Sequence, residues 1–147
     1  GGGGRARLSE AVGPARLARR ILAAEDNPVN QLVIERLVRR LGYDIDVVAS
    51  GEEAAAAAAR GGYDAILMDC QMPGMDGFEA TAAIRALPGG AGALPIIAVT
   101  AHATAGDRRR CLDAGMDDYH AKPVLLDGLA QDLASRPRPL GVAPRNP

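Results

Sequence analysis

Apolar and polar positions change period several times along the 147 residues. "ILAAE" (21–25) is a short apolar run of strand length, and "DNP" follows it at once. Asn27 there can cap a helix whose first turn holds Pro28. Over 28–41, Val29, Leu32, Val33, Leu37 and Leu41 recur at helical spacing and predict an amphipathic helix that Gly42 stops. "DIDVVAS" (44–50) alternates as a strand does, and Ser50 with Glu53 predicts a capping box for an Ala-rich helix over 51–60. "YDAILMD" (63–69) is the next strand, with a helix over 77–87. A Gly-rich loop at 89–93 leads to the strand "LPIIAVT" (94–100). Thr104 and Asp107 can cap a helix running to Ala114 and ending at Gly115. "DDYHAK" (117–122) is a last short strand, and "LLDGLAQDLAS" (125–135) a last helix.

This pattern amounts to five βα units. Strands alternating with helices through short connections predict a parallel sheet with helices on both faces and right-handed crossovers. Five units fit the flavodoxin-like strand order 2-1-3-4-5, whose binding crevice lies at the carboxyl ends of strands 1 and 3. The stretches flanking this region differ in kind. "GGGGRARLSEAVGPARLARR" reads as a flexible basic linker, and "RPRPLGVAPRNP" has too many prolines for a helix or central strand. The expected organisation is a linker over 1–19, one domain over 20–135 and a disordered Pro-rich tail over 136–147. Because the chain begins with Gly rather than Met, it is expected to be a piece of something longer.

Composition narrows the function classes. Hydrophobic residues are 48% of the chain but aromatics only 3%, so the core must be built from Ala, Leu, Ile and Val. A net charge of −1 gives no global attraction to nucleic acid or anionic membrane. The two cysteines, Cys70 and Cys111, make neither a disulfide framework nor a zinc spacing, which suits a reducing cytoplasm. They read as small packed hydrophobes rather than redox sensors. No apolar run reaches membrane-spanning length, and the start lacks a signal-peptide core.

The chemistry collects at the strand ends. In "AILMDCQMPGMDG" (65–77) a carboxylate, Asp69, closes an apolar strand just before Pro73, Gly74 and Gly77 break the chain. A capping aspartate is the ordinary alternative for such a position. The order 2-1-3-4-5, however, brings Asp69 beside Glu25 and Asp26. Three carboxylates in one crevice repel each other and raise each other's pKa, a cost that a hard divalent cation such as Mg²⁺ removes. Strand 4 ends in the hydroxyl of Thr100, and strand 5 leads to Lys122 and Pro123. A carboxylate nucleophile, a metal cluster, a hydroxyl and a lysine form a phosphoryl-transfer set.

"AAEDN", "LMDCQMPGMDGFEAT", "IIAVTA" and "AGMDDYHAKPV" resemble the signature blocks of the response-regulator receiver domain, over about residues 20 to 135. They most resemble receivers fused to hybrid sensor histidine kinases. The resemblance implies a CheY-like fold in which Asp69 accepts a phosphoryl group from a phosphohistidine. It implies Mg²⁺ held by Asp26, Asp69 and the backbone carbonyl of Gln71, with Glu25 assisting through water. Thr100 and Lys122 would bind the acyl phosphate, Tyr119 would be the switch aromatic, and the Lys122–Pro123 bond would be cis. Gln71 and His102 would tune dephosphorylation. Two positions depart from the pattern: Glu25 replaces the commoner Asp, and His120 stands where an apolar residue is usual.

The implied partners are a histidine kinase dimerisation domain or a histidine phosphotransfer protein, with no nucleic acid and no membrane contact by this domain. The implied location is cytoplasmic, with tethering to a membrane-bound sensor kinase where the parent is one. The domain's own chemistry would be self-phosphorylation and self-dephosphorylation, and a parent chain would carry any histidine kinase activity. A stand-alone single-domain regulator competes with the hybrid-kinase context. An aspartate-nucleophile phosphatase of the haloacid-dehalogenase type competes with the receiver reading itself. That family, however, places its nucleophile after the first strand with a second Asp two residues on, whereas Asp69 is followed by Cys70 and Gln71. The "RRR" at 108–110 reads as the solvated face of its helix.

Overall fold

A computed structural model describes residues 19–101 and 104–122, together with 128 and 133. In chain order it contains β1 (Arg20–Ala24), α1 (Pro28–Arg40), β2 (Asp44–Val48), α2 (Gly51–Arg60), β3 (Ala65–Asp69) and α3 (Gly77–Arg85). A 3-10 turn (Gly89–Ala93), β4 (Ile96–Thr100), α4 (Ala105–Asp113) and β5 (Asp118–Ala121) complete it. The five strands form one sheet in the order 2-1-3-4-5, every neighbouring pair parallel. This is the order expected from the βα alternation. Of the helix expected over 125–135, only Gly128 and Leu133 fall among the described residues, and both are helical. The expected linker over 1–19, apart from Arg19, and the expected tail over 136–147 lie outside the described residues.

The hydrophobic pattern explains the layers. All five residues of β3 and all five of β4 are buried, as central strands of a sheet covered on both faces require. Period-two alternation then divides the core. Leu22, Ile66, Met68, Ile96 and Ala98 face α2, α3 and α4, while Ile21, Ala23, Leu67, Ile97 and Val99 face α1 and Leu133. The Ala-rich α2 suits its place, because Ala54, Ala57 and Ala58 are buried against the sheet and have no long side chain to accommodate.

Expectation and structure part company on α1. Val29, Leu32 and Val33 are 69%, 48% and 41% exposed, and the face that enters the core is Ile34 and Val38, with Leu37 and Leu41 half-buried beside them. The helix offers two overlapping apolar stripes, and only one can meet the sheet.

The helix starts are fixed by side chains. Asn27 Oδ1 accepts from the N–H groups of Val29 and Asn30, with Pro28 next in line. Thr104 Oγ1 accepts from the Asp107 N–H as expected. Ser50 Oγ accepts from the Glu53 N–H, but Glu53 returns its bond to Ala49, one residue before the cap, so the box does not close. A closed box occurs instead at α3, between Asp76 and Glu79. That helix ends at Arg85, two residues short of the expected 87. Arg85 then ties the far end of the sheet together. Its guanidinium donates to the carbonyls of Gly92, Leu94 and Gly115 and pairs with Asp117 at 2.9 Å. Asp117 in turn accepts from the Ile96 N–H, which sets the start of β4 beside β5.

Candidate functional site

Every strand that carries chemistry delivers it at its carboxyl end. Glu25 and Asp26 follow β1, Asp69 ends β3, Thr100 ends β4 and Lys122 follows β5. Parallel pairing holds them in register: the Cys70 N–H donates to the Val99 carbonyl, and the Lys122 N–H donates to the Thr100 carbonyl at 2.7 Å. One carboxylate oxygen from each of Glu25, Asp26 and Asp69 lies within 4.8 Å of the other two. Glu25 and Asp69 are buried, whereas Asp26 is exposed at the mouth.

The turn into α1 anchors Glu25. Its Oε2 accepts from the Asn27 N–H at 3.0 Å, and Gln31 Nε2 donates to its backbone carbonyl. Asp69 is anchored from the opposite side, its Oδ1 accepting from the Gln71 N–H at 3.1 Å. Gly77 allows α3 to start directly beneath. Its N–H donates to the Cys70 carbonyl, and a Cβ at this position would collide with the backbone carbonyl of Asp69.

Lys122 Nζ sits between the buried carboxylates, 3.1 Å from Asp69 Oδ2 and 3.1 Å from Glu25 Oε1. The contact to Asp69 is a hydrogen bond. The contact to Glu25 is an ion pair only, and it leaves Oε1 a buried oxygen without a hydrogen-bond donor. Burial pushes the Asp69 carboxyl up to about 6, helped by the charge of Glu25 and opposed by the Gln71 N–H and by Lys122. Repulsion among the carboxylates, expected to be the cause, is thus secondary to desolvation. For Lys122, burial lowers the ammonium pKa, but the hydrogen bond to Asp69 and the charges of Asp69 and Glu25 outweigh it and leave a net rise.

The donor set fits a hard divalent cation. It offers three carboxylates at close range, two of them buried, and one buried oxygen that lacks a donor. Glu25 Oε1 already faces the Lys122 ammonium, so the fit rests on the three converging carboxylates: Glu25, Asp26 and Asp69 are the side chains that could hold a small dication with retained waters.

On the other side of Asp69 the inner wall is uncharged, and Asp76, Asp107 and Arg110 stand around it. A cleft of about 420 Å³ is lined by Cys70, Gln71, Met72, Phe78, Thr100 and Cys111, among others. Thr100 is buried there. Tyr119 is half-buried against the core below α4. The arginines of α4 form a solvated face, as expected, and two of them also rest on rings. Although exposed, Arg108 lies over the Tyr119 ring at 5.8 Å and Arg110 over the Phe78 ring at 4.4 Å. His102 and Pro123, and with Pro123 the expected cis bond, lie outside the described residues.

Sequence reasoning missed the supporting residues. Gln31 was in principle legible, since a helix that starts directly after Glu25 brings its first turn back over that residue. The contact between Cys70 and Cys111, 41 residues apart, carries no spacing signal.

A sequence-family profile described as response regulator receiver domain matches residues 21–134. Sensor protein GacS of Pseudomonas syringae pv. syringae is 42% identical over 140 residues, which cover 92% of this chain and 15% of that protein. The chain thus spans a small fraction of that relative's length. The receiver domain of sensor histidine kinase PA1611 from Pseudomonas aeruginosa PAO1, solved with a magnesium ion coordinated in its active site cleft, is 50% identical with a TM-score of 0.76. The match covers 82% of this chain and 98% of that one. The receiver domain of Saccharomyces cerevisiae Ssk1, solved in complex with the histidine phosphotransfer protein Ypd1, gives 28% identity and a TM-score of 0.72, covering 81% of this chain and 88% of its match.

Proposed function

Since this chain belongs to the response-regulator receiver domain family, we propose that it accepts a phosphoryl group on Asp69 from a phosphohistidine. The observation that carries the reading is Asp69 itself: a buried carboxylate held between a backbone N–H and Lys122, with Glu25 and Asp26 converging on it. In the transfer, an Asp69 carboxylate oxygen bonds to phosphorus while the bond from phosphorus to the imidazole nitrogen breaks, and its electron pair returns to the ring. Asp26, Asp69 and the Gln71 carbonyl would hold Mg²⁺, with Glu25 assisting through water. When bound, the cation supplies positive charge to the phosphoryl oxygens. Lys122 adds a second positive charge from β5, and its hold on Asp69 keeps one carboxylate oxygen oriented while the other attacks.

Thr100 would then receive the phosphoryl oxygens on the β4 side, and Tyr119 would report the change. Gln71 and His102 would tune hydrolysis. The family reading removes the haloacid-dehalogenase alternative.

The parent chain is proposed to be a hybrid sensor histidine kinase, with this domain on the cytoplasmic side. The likeness to GacS and PA1611 supports that context, and the likeness to the Ypd1-bound receiver supports a histidine phosphotransfer protein or kinase dimerisation domain as partner. Among the described residues, no helix is long and apolar enough to cross a membrane. The exposed Val29, Leu32 and Val33, on the helix that starts beside the crevice, give such a helical partner an apolar face to meet.

The test is transfer from a radiolabelled phosphohistidine protein to the purified chain, with Mg²⁺ and with EDTA. Label should move to the chain only with Mg²⁺. Equal transfer under both conditions, or none under either, would refute the reading.

A further inference from the structure

Next to Asp69 in sequence, and facing away from the acidic crevice, lies a second pair of reactive side chains. Cys70 Sγ and Cys111 Sγ are 3.7 Å apart, both buried and both reduced. They bring together two parts of the fold that the site otherwise leaves unconnected. Cys70 follows the phosphoacceptor strand directly, and Cys111 lies on α4, the helix whose arginines cover Phe78 and Tyr119. The two sulfurs share a wall of the cleft that Thr100 also lines, and that cleft is the side from which a small reagent would reach them.

We propose that Cys70 and Cys111 form a reversible intramolecular disulfide on exposure to a peroxide, and that this bond ties α4 to the end of β3. Burial pushes the Cys111 thiol up from its ordinary value, so it must first give up its proton; the Cys111 thiolate then attacks one peroxide oxygen. The O–O bond breaks, hydroxide leaves and a sulfenic acid forms. The Cys70 sulfur then attacks that sulfur and expels the second oxygen, and the protons released by the two thiols make both oxygens leave as water. The two sulfurs lose two electrons in total, and the peroxide gains them.

Closing the pair from 3.7 Å to a bond of about 2.05 Å requires an approach of roughly 1.7 Å. The backbone at Cys70 is held on both sides, its N–H by Val99 and its carbonyl by Gly77. Most of the movement therefore falls to α4 and to the side-chain rotamers. The oxidised form holds α4 down over the cleft, and a thiol reductant releases it. Any consequence for signalling rests on the receiver reading above. The cross-link does not.

The test treats the reduced full chain with hydrogen peroxide and follows intact mass, disulfide-mapped peptides and amide hydrogen exchange over 105–113. The expected result is loss of two hydrogens, a Cys70–Cys111 peptide pair, reversal by dithiothreitol, and slower exchange in α4 of the oxidised form. Cys111→Ala and Cys70→Ala should each block the cross-link, so failure of one variant to fold still leaves the other. Added oxygen without a cross-link, a disulfide-linked dimer, or unchanged mass would overturn the proposal. A cross-link that leaves α4 exchange unaltered would overturn the tether. Phosphoryl uptake measured on the reduced sample reports separately on the receiver reading.

Discussion

The two sides of Asp69 are built on opposite principles. Toward β1 lie charges, and the buried ones are tied to partners: Asn27 and Gln31 fix Glu25, Gln71 fixes Asp69, and Lys122 joins the two carboxylates, with Asp26 exposed at the mouth. Toward β4 and α4 lie a hydroxyl, two thiols and an open cleft, with exposed arginines resting on aromatic rings. Directional bonds between buried charges leave no slack, since any displacement strands a charge. Uncharged buried groups beside open volume, with the charges of Asp76, Asp107 and Arg110 around them, tolerate movement at smaller cost. The difference teaches a division of labour within one crevice: the β1 side performs chemistry, and the β4 side is free to respond to it.

The hardest blow to that division is removal of a charge on the first side. Asp26→Asn should lower Mg²⁺-dependent phosphoryl uptake by on the order of 100-fold or more, because it takes one carboxylate from the cation. Thr100→Ala should leave uptake within a few-fold of wild type and lose the response of Tyr119. Uptake from acetyl phosphate and aromatic NMR with beryllofluoride measure both. If the two variants lose uptake equally, the sides are not separate.

A pH series sharpens the account of the charged side. Without metal, Asp69 titrates at about 6 in the fold against 3.8 as the ordinary value. Between those values the folded chain binds more protons than the unfolded chain. This group's contribution to stability is therefore present below about 4 and is lost as pH rises through about 6. The loss is at most about 3 kcal/mol. Urea unfolding of wild type and Asp69→Asn from pH 4 to 7 should show a difference that changes across this window. A flat difference would mean that burial does not govern Asp69.

The smallest effect belongs to the β4 side. Arg108→Ala removes an exposed cation from the Tyr119 ring, an interaction of roughly 0.5–1 kcal/mol. Tyr119 should then populate more than one ring position in NMR, with uptake unchanged. An unaltered Tyr119 spectrum would remove Arg108 from the response.

This contrast also marks how far the sequence was legible. β3 and β4 were plain because a strand buried on both faces is apolar throughout, and the order of the strand ends carried Glu25, Asp26, Asp69, Thr100 and Lys122 into one crevice. α1 was misread because Val29, Leu32, Val33 and Leu37 make one helical stripe and Ile34, Leu37, Val38 and Leu41 another. Only the sheet's position chooses between them. The stacking of Arg108 and Arg110, like the Cys70–Cys111 contact, depends on where α4 lies across the sheet. No local pattern encodes that placement. The capping box of α3 is legible in the sequence as Asp76 followed three residues later by Glu79.

The central claim is that Asp69 takes the phosphoryl group, and intact mass tests it most directly. Wild type and Asp69→Asn are incubated with acetyl phosphate and Mg²⁺, and each is weighed before the acyl phosphate hydrolyses. The account predicts that wild type gains the mass of one phosphoryl group and that Asp69→Asn gains nothing. Equal gain by both would place the phosphoryl group elsewhere and contradict it.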